Sequence, residues 1–154
     1  MHERYRGFVL AHEEENVPTD ESRLVPAHLD IGLASGTVER LVRERVDFDG
    51  IVGVNDVVAL GAIQGLRRHG INVPEDVSVV GYDNVEFSKY TQPPLTTISQ
   101  DSERGGQLIV SKLIDRRNQN FVSEALPLDL IVRESCGTVK NCGTVSASAR
   151  PSAA

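Results

Sequence analysis

Two short apolar runs constrain this chain more than anything else in it: Gly50-Ile51-Val52-Gly53-Val54 and Val77-Ser78-Val79-Val80-Gly81-Tyr82. Both are rich in β-branched residues and neither alternates polar with apolar positions. A strand with one wet face must alternate, whereas a strand covered on both faces need not. Both runs therefore read as strands of a parallel sheet buried on two sides. Between them Ala59, Ala62, Ile63 and Leu66 stand at i, i+3, i+4 and i+7, the stripe of a one-sided helix. Gly70 ends that helix, and Arg67, Arg68 and His69 precede it as cations suited to a helix C-terminus. Strand, crossover helix and a second strand in the same direction make an α/β unit with a mostly parallel sheet.

The remaining segments extend the pattern. Residues 3–16 read as a helix that closes at Asn16, ahead of Pro18. Leu24-Val25-Pro26-Ala27 reads as an edge strand because it holds a proline. Ser35 is the expected N-cap of a helix to about Val46, with Val38, Leu41, Val42 and Val46 on one face. Residues 93–98 are extended. Asp101 or Ser102 opens a helix to about Arg117, with Gly105, Leu108, Ile109, Lys112 and Leu113 on one face, and Leu126 to Val132 is a last strand. From Gly137 the chain is rich in Gly, Ser, Ala and Thr without periodicity, so 137–154 reads as a disordered tail.

Composition removes several function classes. The 154 residues carry 16 Lys and Arg against 22 Asp and Glu, a net charge of −6, which suits no autonomous binder of nucleic acid. No apolar run approaches the 18 or so residues of a membrane span. The start, Met-His-Glu-Arg-Tyr-Arg, has no apolar segment behind it and reads as no secretory signal. Two cysteines, Cys136 and Cys142, make neither a disulfide framework nor a zinc site, and a reducing cytoplasmic setting is expected. Gly61-Ala62-Ile63-Gln64-Gly65 lies inside a helix and cannot be a phosphate loop. No metal spacing and no cofactor motif stands out.

Ligands of open α/β sheets bind at the carboxyl ends of the strands. The polar residues there are Asn55-Asp56 after one strand and Asp83-Asn84 after the next. Asn55 offers an amide that both donates and accepts, against the plainer role of a helix cap; both roles are met if Asp56 caps the helix while Asn55 faces the cleft. Asp83 offers a carboxylate for two hydroxyls, against the plainer role of a turn residue, and Asn84 reads as the turn residue itself.

At these residues the chain resembles the LacI/GalR family of bacterial transcription regulators. The resemblance is carried by Asn55-Asp56-Val57-Val58-Ala59-Leu60-Gly61 and by Gly70-Ile71-Asn72-Val73-Pro74-Glu75-Asp76 running on to Gly81-Tyr82-Asp83-Asn84. It continues in Pro94-Leu95-Thr96-Thr97-Ile98-Ser99-Gln100, in Arg4-Tyr5-Arg6-Gly7-Phe8, and in Leu126-Pro127 with Leu130-Ile131-Val132-Arg133-Glu134-Ser135. It spans about residues 3–136. It implies a periplasmic-binding-protein-like fold, α/β with flanking helices, of which 1–136 is a partial effector-binding domain, largely the C-terminal lobe. The segment at about 99–120 would cross to a first lobe that this chain lacks. The apolar stripe of its helix would then stay partly exposed and leave the isolated chain weakly stable.

The implied partner is a small-molecule effector such as a sugar. Operator DNA would be bound only through a helix-turn-helix outside this chain, and family members form homodimers. The resemblance places Arg4 in the ligand cleft with Asn55 and Asp83, and adds Gln100 from the crossover. Ile31 stands where many relatives carry an aromatic ring, which removes the usual stacking platform. Tyr82, Phe87 and Tyr90 are the remaining aromatic candidates. Two other classes stay open: a sugar-binding receptor of a transport system, and an enzyme on the same fold with Asp56 and Asp83 as a carboxylate pair.

Overall fold

The structure, a computed structural model, describes residues 2–20, 23–26, 28–114 and 123–137. In chain order the elements are α1 (His2–Glu14), α2 (Ile31–Arg43), β1 (Gly50–Val52), α3 (Asp56–Arg68), β2 (Ser78–Tyr82), a 3-10 turn (Glu86–Tyr90), β3 (Thr96–Gln100), α4 (Ser102–Ile114), β4 (Leu128–Ile131) and a second 3-10 turn (Glu134–Cys136). The sheet runs β1-β2-β3-β4. The first three strands are parallel, with Gly50 opposite Ser78 and Gly81 opposite Thr97, and β4 closes the edge antiparallel with Ile98 opposite Leu130. The α/β architecture expected from the alternating runs is present.

The core lies between this sheet and α3. Val38, Ala59, Ala62, Ile63, Leu66, Val73, Val77, Val79 and Leu95 form one buried cluster. The predicted stripe of α3 is thus its buried face. Leu66 is fully enclosed, and burying a leucine contributes about 1.5–3 kcal/mol. Helices α2 and α3 cross closely because two α3 glycines face α2. A Cβ on Gly61 would stand 2.5 Å from the Ile31 carbonyl oxygen, and one on Gly65 would stand 2.7 Å from that of Ser35. The predicted stops also hold: Asn16 and Gly70 both take positive φ, 56° and 72°.

Four local expectations are corrected. Ser35 is not an N-cap. Asp30 is, in extended backbone, its carboxylate accepting from the Leu33 amide at 2.8 Å. Ser35 is buried at the α3 crossing, and its hydroxyl donates to Glu39. The helix also stops before Val46, because Arg45 turns to φ 56° and the Val46 amide folds back onto the Leu41 carbonyl. Residues 24–26 form no strand, since a run this short that ends in proline offers little to a ladder. Finally, β1 is not covered on two faces: α3 packs on one side while Val52 is 61% exposed. Its apolar character had suggested cover on both faces.

Helix α4 begins where predicted, with the Asp101 carboxylate accepting from the Arg104 amide. None of its residues is buried, and Ile109 and Leu113 are largely exposed. The rest of the crossover expected at 99–120, from 115 on, lies outside the described residues, as do Cys142 and 138–154 of the expected tail.

Candidate functional site

Each of the three parallel strands delivers one group to the carboxyl edge of the sheet. From β1 the chain continues to Val54, whose carbonyl accepts from Arg4 Nη1. From β2 it reaches Asp83 directly after Tyr82. From β3 it ends on Gln100. Arg4, projecting from the first turns of α1, places its second nitrogen 3.4 Å from Asp83 Oδ1. The same oxygen accepts from Gln100 Nε2 at 2.9 Å. The guanidinium lies over the Tyr82 ring, 3.5 Å from its centroid, a cation–π contact. The structure therefore brings together Arg4, Asp83 and Gln100, three of the residues singled out in the sequence, and adds Tyr82 as the platform of Arg4.

The Arg4 and Asp83 side chains are 38% and 34% exposed, so their ion pair is screened by water and contributes little to stability. The same exposure leaves the carboxylate open to exchange one of its donors for another. A guanidinium fork, a carboxylate and a primary amide at one rim supply donors and acceptors spaced for neighbouring hydroxyls.

Asn55 sits three residues past the end of β1, at the same edge. Its side-chain oxygen is committed to the N-cap of α3, accepting from the Val58 amide at 3.0 Å. Asp56 does not share that cap, contrary to one expectation. It is fully buried in the first turn of α3, where the helix dipole favours a carboxylate, and accepts from the Thr97 hydroxyl and the Val85 amide. It points into the protein and forms no solvent-facing pair with Asp83. Ile31 opens α2 and is 40% exposed.

Asp83 sits on unusual backbone. Its φ is 103° and that of Asn84 is 47°, a conformation that costs a non-glycine residue on the order of 1 kcal/mol. The surroundings over-determine it. The Asp83 amide donates to the Ile98 carbonyl, the Asn84 amide to the Thr97 hydroxyl, and the Val85 amide to Asp56 Oδ2. The Asn84 side chain donates to Ser99 and accepts from Arg133 Nη2 at 2.7 Å. Arg133 also donates to the Leu95 carbonyl and the Ser88 hydroxyl. Sequence reasoning missed Thr97 and Arg133 entirely. One signal was readable: a glycine inside a β-branched run marks close approach, and at Gly81 a Cβ would collide with the Asp56 carboxylate.

The described surface also holds a groove of about 390 Å³ lined by Arg67, Asn72, Gln92, Pro93 and Glu134 among others. It lies at the amino ends of β2 and β3, opposite the Arg4–Asp83–Gln100 cluster.

Residues 1–136 match the family described as the periplasmic binding protein-like domain. The chain is 38% identical over 139 residues to the HTH-type transcriptional repressor PurR of Aliivibrio fischeri, across 86% of this chain and 41% of the repressor. It thus spans less than half the length of that relative. Among solved structures it is similar to the transcriptional regulator CelR–cellobiose complex, with a TM-score of 0.80 and 30% identity over 86% of this chain and 42% of that one. It is likewise similar to a LacI family transcriptional regulator from Enterococcus faecium with bound ribose, with a TM-score of 0.78 and 31% identity over 87% and 51%.

Proposed function

The chain belongs to the periplasmic binding protein-like family in its LacI/GalR regulator branch, and from that premise we propose that the cluster of Arg4, Asp83 and Gln100 is its effector site, taking a small polyhydroxy ligand such as a sugar. The observation that carries the reading is the convergence of Arg4, from α1, and Gln100, from the end of β3, on one carboxylate oxygen at the end of β2. Arg4 and Gln100 both donate to Asp83 Oδ1. A sugar hydroxyl pair competes for that oxygen and for the guanidinium. Asn55 completes the rim through its amide nitrogen while its oxygen caps α3. Ile31 gives an aliphatic wall where a ring would stack, so selectivity rests on hydrogen bonds more than on ring contact.

The cellobiose and ribose held by the two structural neighbours support the sugar class. As in other allosteric binders, ligand would act by differential contact with two lobe arrangements. A cytoplasmic setting and pairing with a second copy belong to the same reading. Among the described residues no helix is long and apolar enough to cross a membrane.

Calorimetric titration with a panel of sugars and nucleobases, run beside a product assay, tests the proposal. Saturable binding of a sugar that Asp83→Gly and Arg4→Ala each weaken at least tenfold, with unchanged far-ultraviolet circular dichroism, is the expected result. Binding that ignores both substitutions, or conversion of the ligand to product, overturns it.

A further inference from the structure

We infer that Thr97 is a positioning residue for effector recognition: its buried hydroxyl, donating to Asp56 and accepting from the Asn84 amide, locks the turn that aims the Asp83 carboxylate. The inference rests on the effector-site reading for its functional half, while its geometric half stands alone. Thr97 has no exposed surface. Its oxygen lies 2.5 Å from Asp56 Oδ1 and 3.3 Å from the Asn84 nitrogen. An amide can only donate, so the hydroxyl must accept from Asn84 and point its single proton at the carboxylate. Both capacities of one hydroxyl are thereby used, and its orientation is fixed.

The relay exists because of the strand register. Thr97 pairs with Gly81 across β2 and β3. With no side chain at Gly81, the Asp56 carboxylate lies over the strand and reaches Thr97. Its second oxygen takes the Val85 amide. The successive backbone amides of Asn84 and Val85 are therefore tied to one buried carboxylate, the first through one hydroxyl and the second directly. None of these bonds touches Asp83's side chain. They fix the left-handed turn from below, beside the bond of the Asp83 amide to the Ile98 carbonyl, so the carboxylate faces Arg4 and Gln100. A valine at 97 fits the strand but breaks the relay, and a serine keeps it.

The test compares Thr97→Val and Thr97→Ser with the unaltered chain. Nitrogen-15 NMR follows the Gln100 side-chain amide, which reports the place of the Asp83 carboxylate, and the exchange rate of the Asn84 amide. Titration with D-ribose follows recognition. The valine variant is expected to move the Gln100 resonance, speed Asn84 exchange by about tenfold, and weaken D-ribose binding by about tenfold, the effect of losing a hydrogen bond to a charged group. The serine variant is expected to keep all three within threefold. A role in stability alone would lower the melting temperature of the valine variant and leave the Gln100 resonance and the ribose affinity of its folded form in place, and that result overturns the inference.

A slowly exchanging Thr97 hydroxyl proton is expected in the unaltered chain. Exchange too fast to observe overturns the relay even if the valine variant does not fold. If D-ribose produces no heat with the unaltered chain, that failure counts against the ligand class, while the Gln100 and Thr97 signals still decide the relay.

Discussion

The same chemical change at two glycines of one helix pair should have opposite signs. Gly36 lies on the exposed face of α2, and a Cβ built there meets nothing within 4 Å. Gly36→Ala therefore gains helix propensity alone, about 0.8–1 kcal/mol. Gly61 of α3 makes the same propensity gain, but its Cβ would stand 2.5 Å from the Ile31 carbonyl oxygen and 2.6 Å from Ala34 Cβ. Neither neighbour can rotate away, since one is helix backbone and the other a methyl fixed to it. Relief requires the helices to separate over buried Ala34, Val38, Ala62 and Ile63. Overpacking of a core costs about 1–3 kcal/mol, and separation adds lost contacts, so the clash outweighs the propensity gain. The expected net loss for Gly61→Ala is about 1–2 kcal/mol, against a gain of just under 1 for Gly36→Ala. Urea denaturation followed by circular dichroism measures both. A Gly61→Ala variant as stable as the unaltered chain would show that the close crossing of α2 and α3 is not a constraint.

Two further outcomes follow from the polar ties. The Arg68 guanidinium, with help from the Ser35 hydroxyl, holds the Glu39 carboxyl below its ordinary value of 4.5. A lowered folded-state value contributes stability that is present above pH 4.5 and lost as pH falls through that lower value. Arg68→Ala should raise the Glu39 titration midpoint toward 4.5 in carbon-13 NMR, and its deficit in stability should shrink as the pH drops below 4.5. An unchanged midpoint would refute the tie. Arg133→Met leaves the Leu95 carbonyl, the Ser88 hydroxyl and the Asn84 side chain without their shared donor, and should lose about 2–4 kcal/mol in urea unfolding, with Arg133→Lys recovering only part because an ammonium cannot fork. A loss under about 0.5 kcal/mol in the methionine variant would contradict the bracing role.

The parts of the fold legible in the sequence were those set by local periodicity. The α3 stripe, the β2 run and the stops at Asn16 and Gly70 each depend on a few neighbouring residues. What was misread depends on distant partners. Ser35 has the chemistry of a cap, and only the approach of Gly65 shows that it is buried. Val52 has the chemistry of a core residue, and only the number of covering helices decides its exposure. In the proposed site, Asp83 is legible from its strand end and from the family resemblance, Arg4 and Gln100 from the resemblance alone. Thr97 was hidden by its ordinary appearance as a β-branched strand residue. Asp56 was mistaken for a cap because Asn55, beside it, has the same capability.

The backbone at residue 83 also limits which side chains the proposed effector site can carry there. At φ 103° a β-branched or bulky side chain is strongly disfavoured, and the short polar side chains of Asp and Asn, with Gly, are the ones that tolerate it. Mutational drift at that position thus has a three-letter alphabet. Positions 31 and 100 occupy ordinary helix and strand conformations, which impose no such backbone limit. In the proposed site, new ligand preferences would then arise on those two flanks more readily than at the central carboxylate.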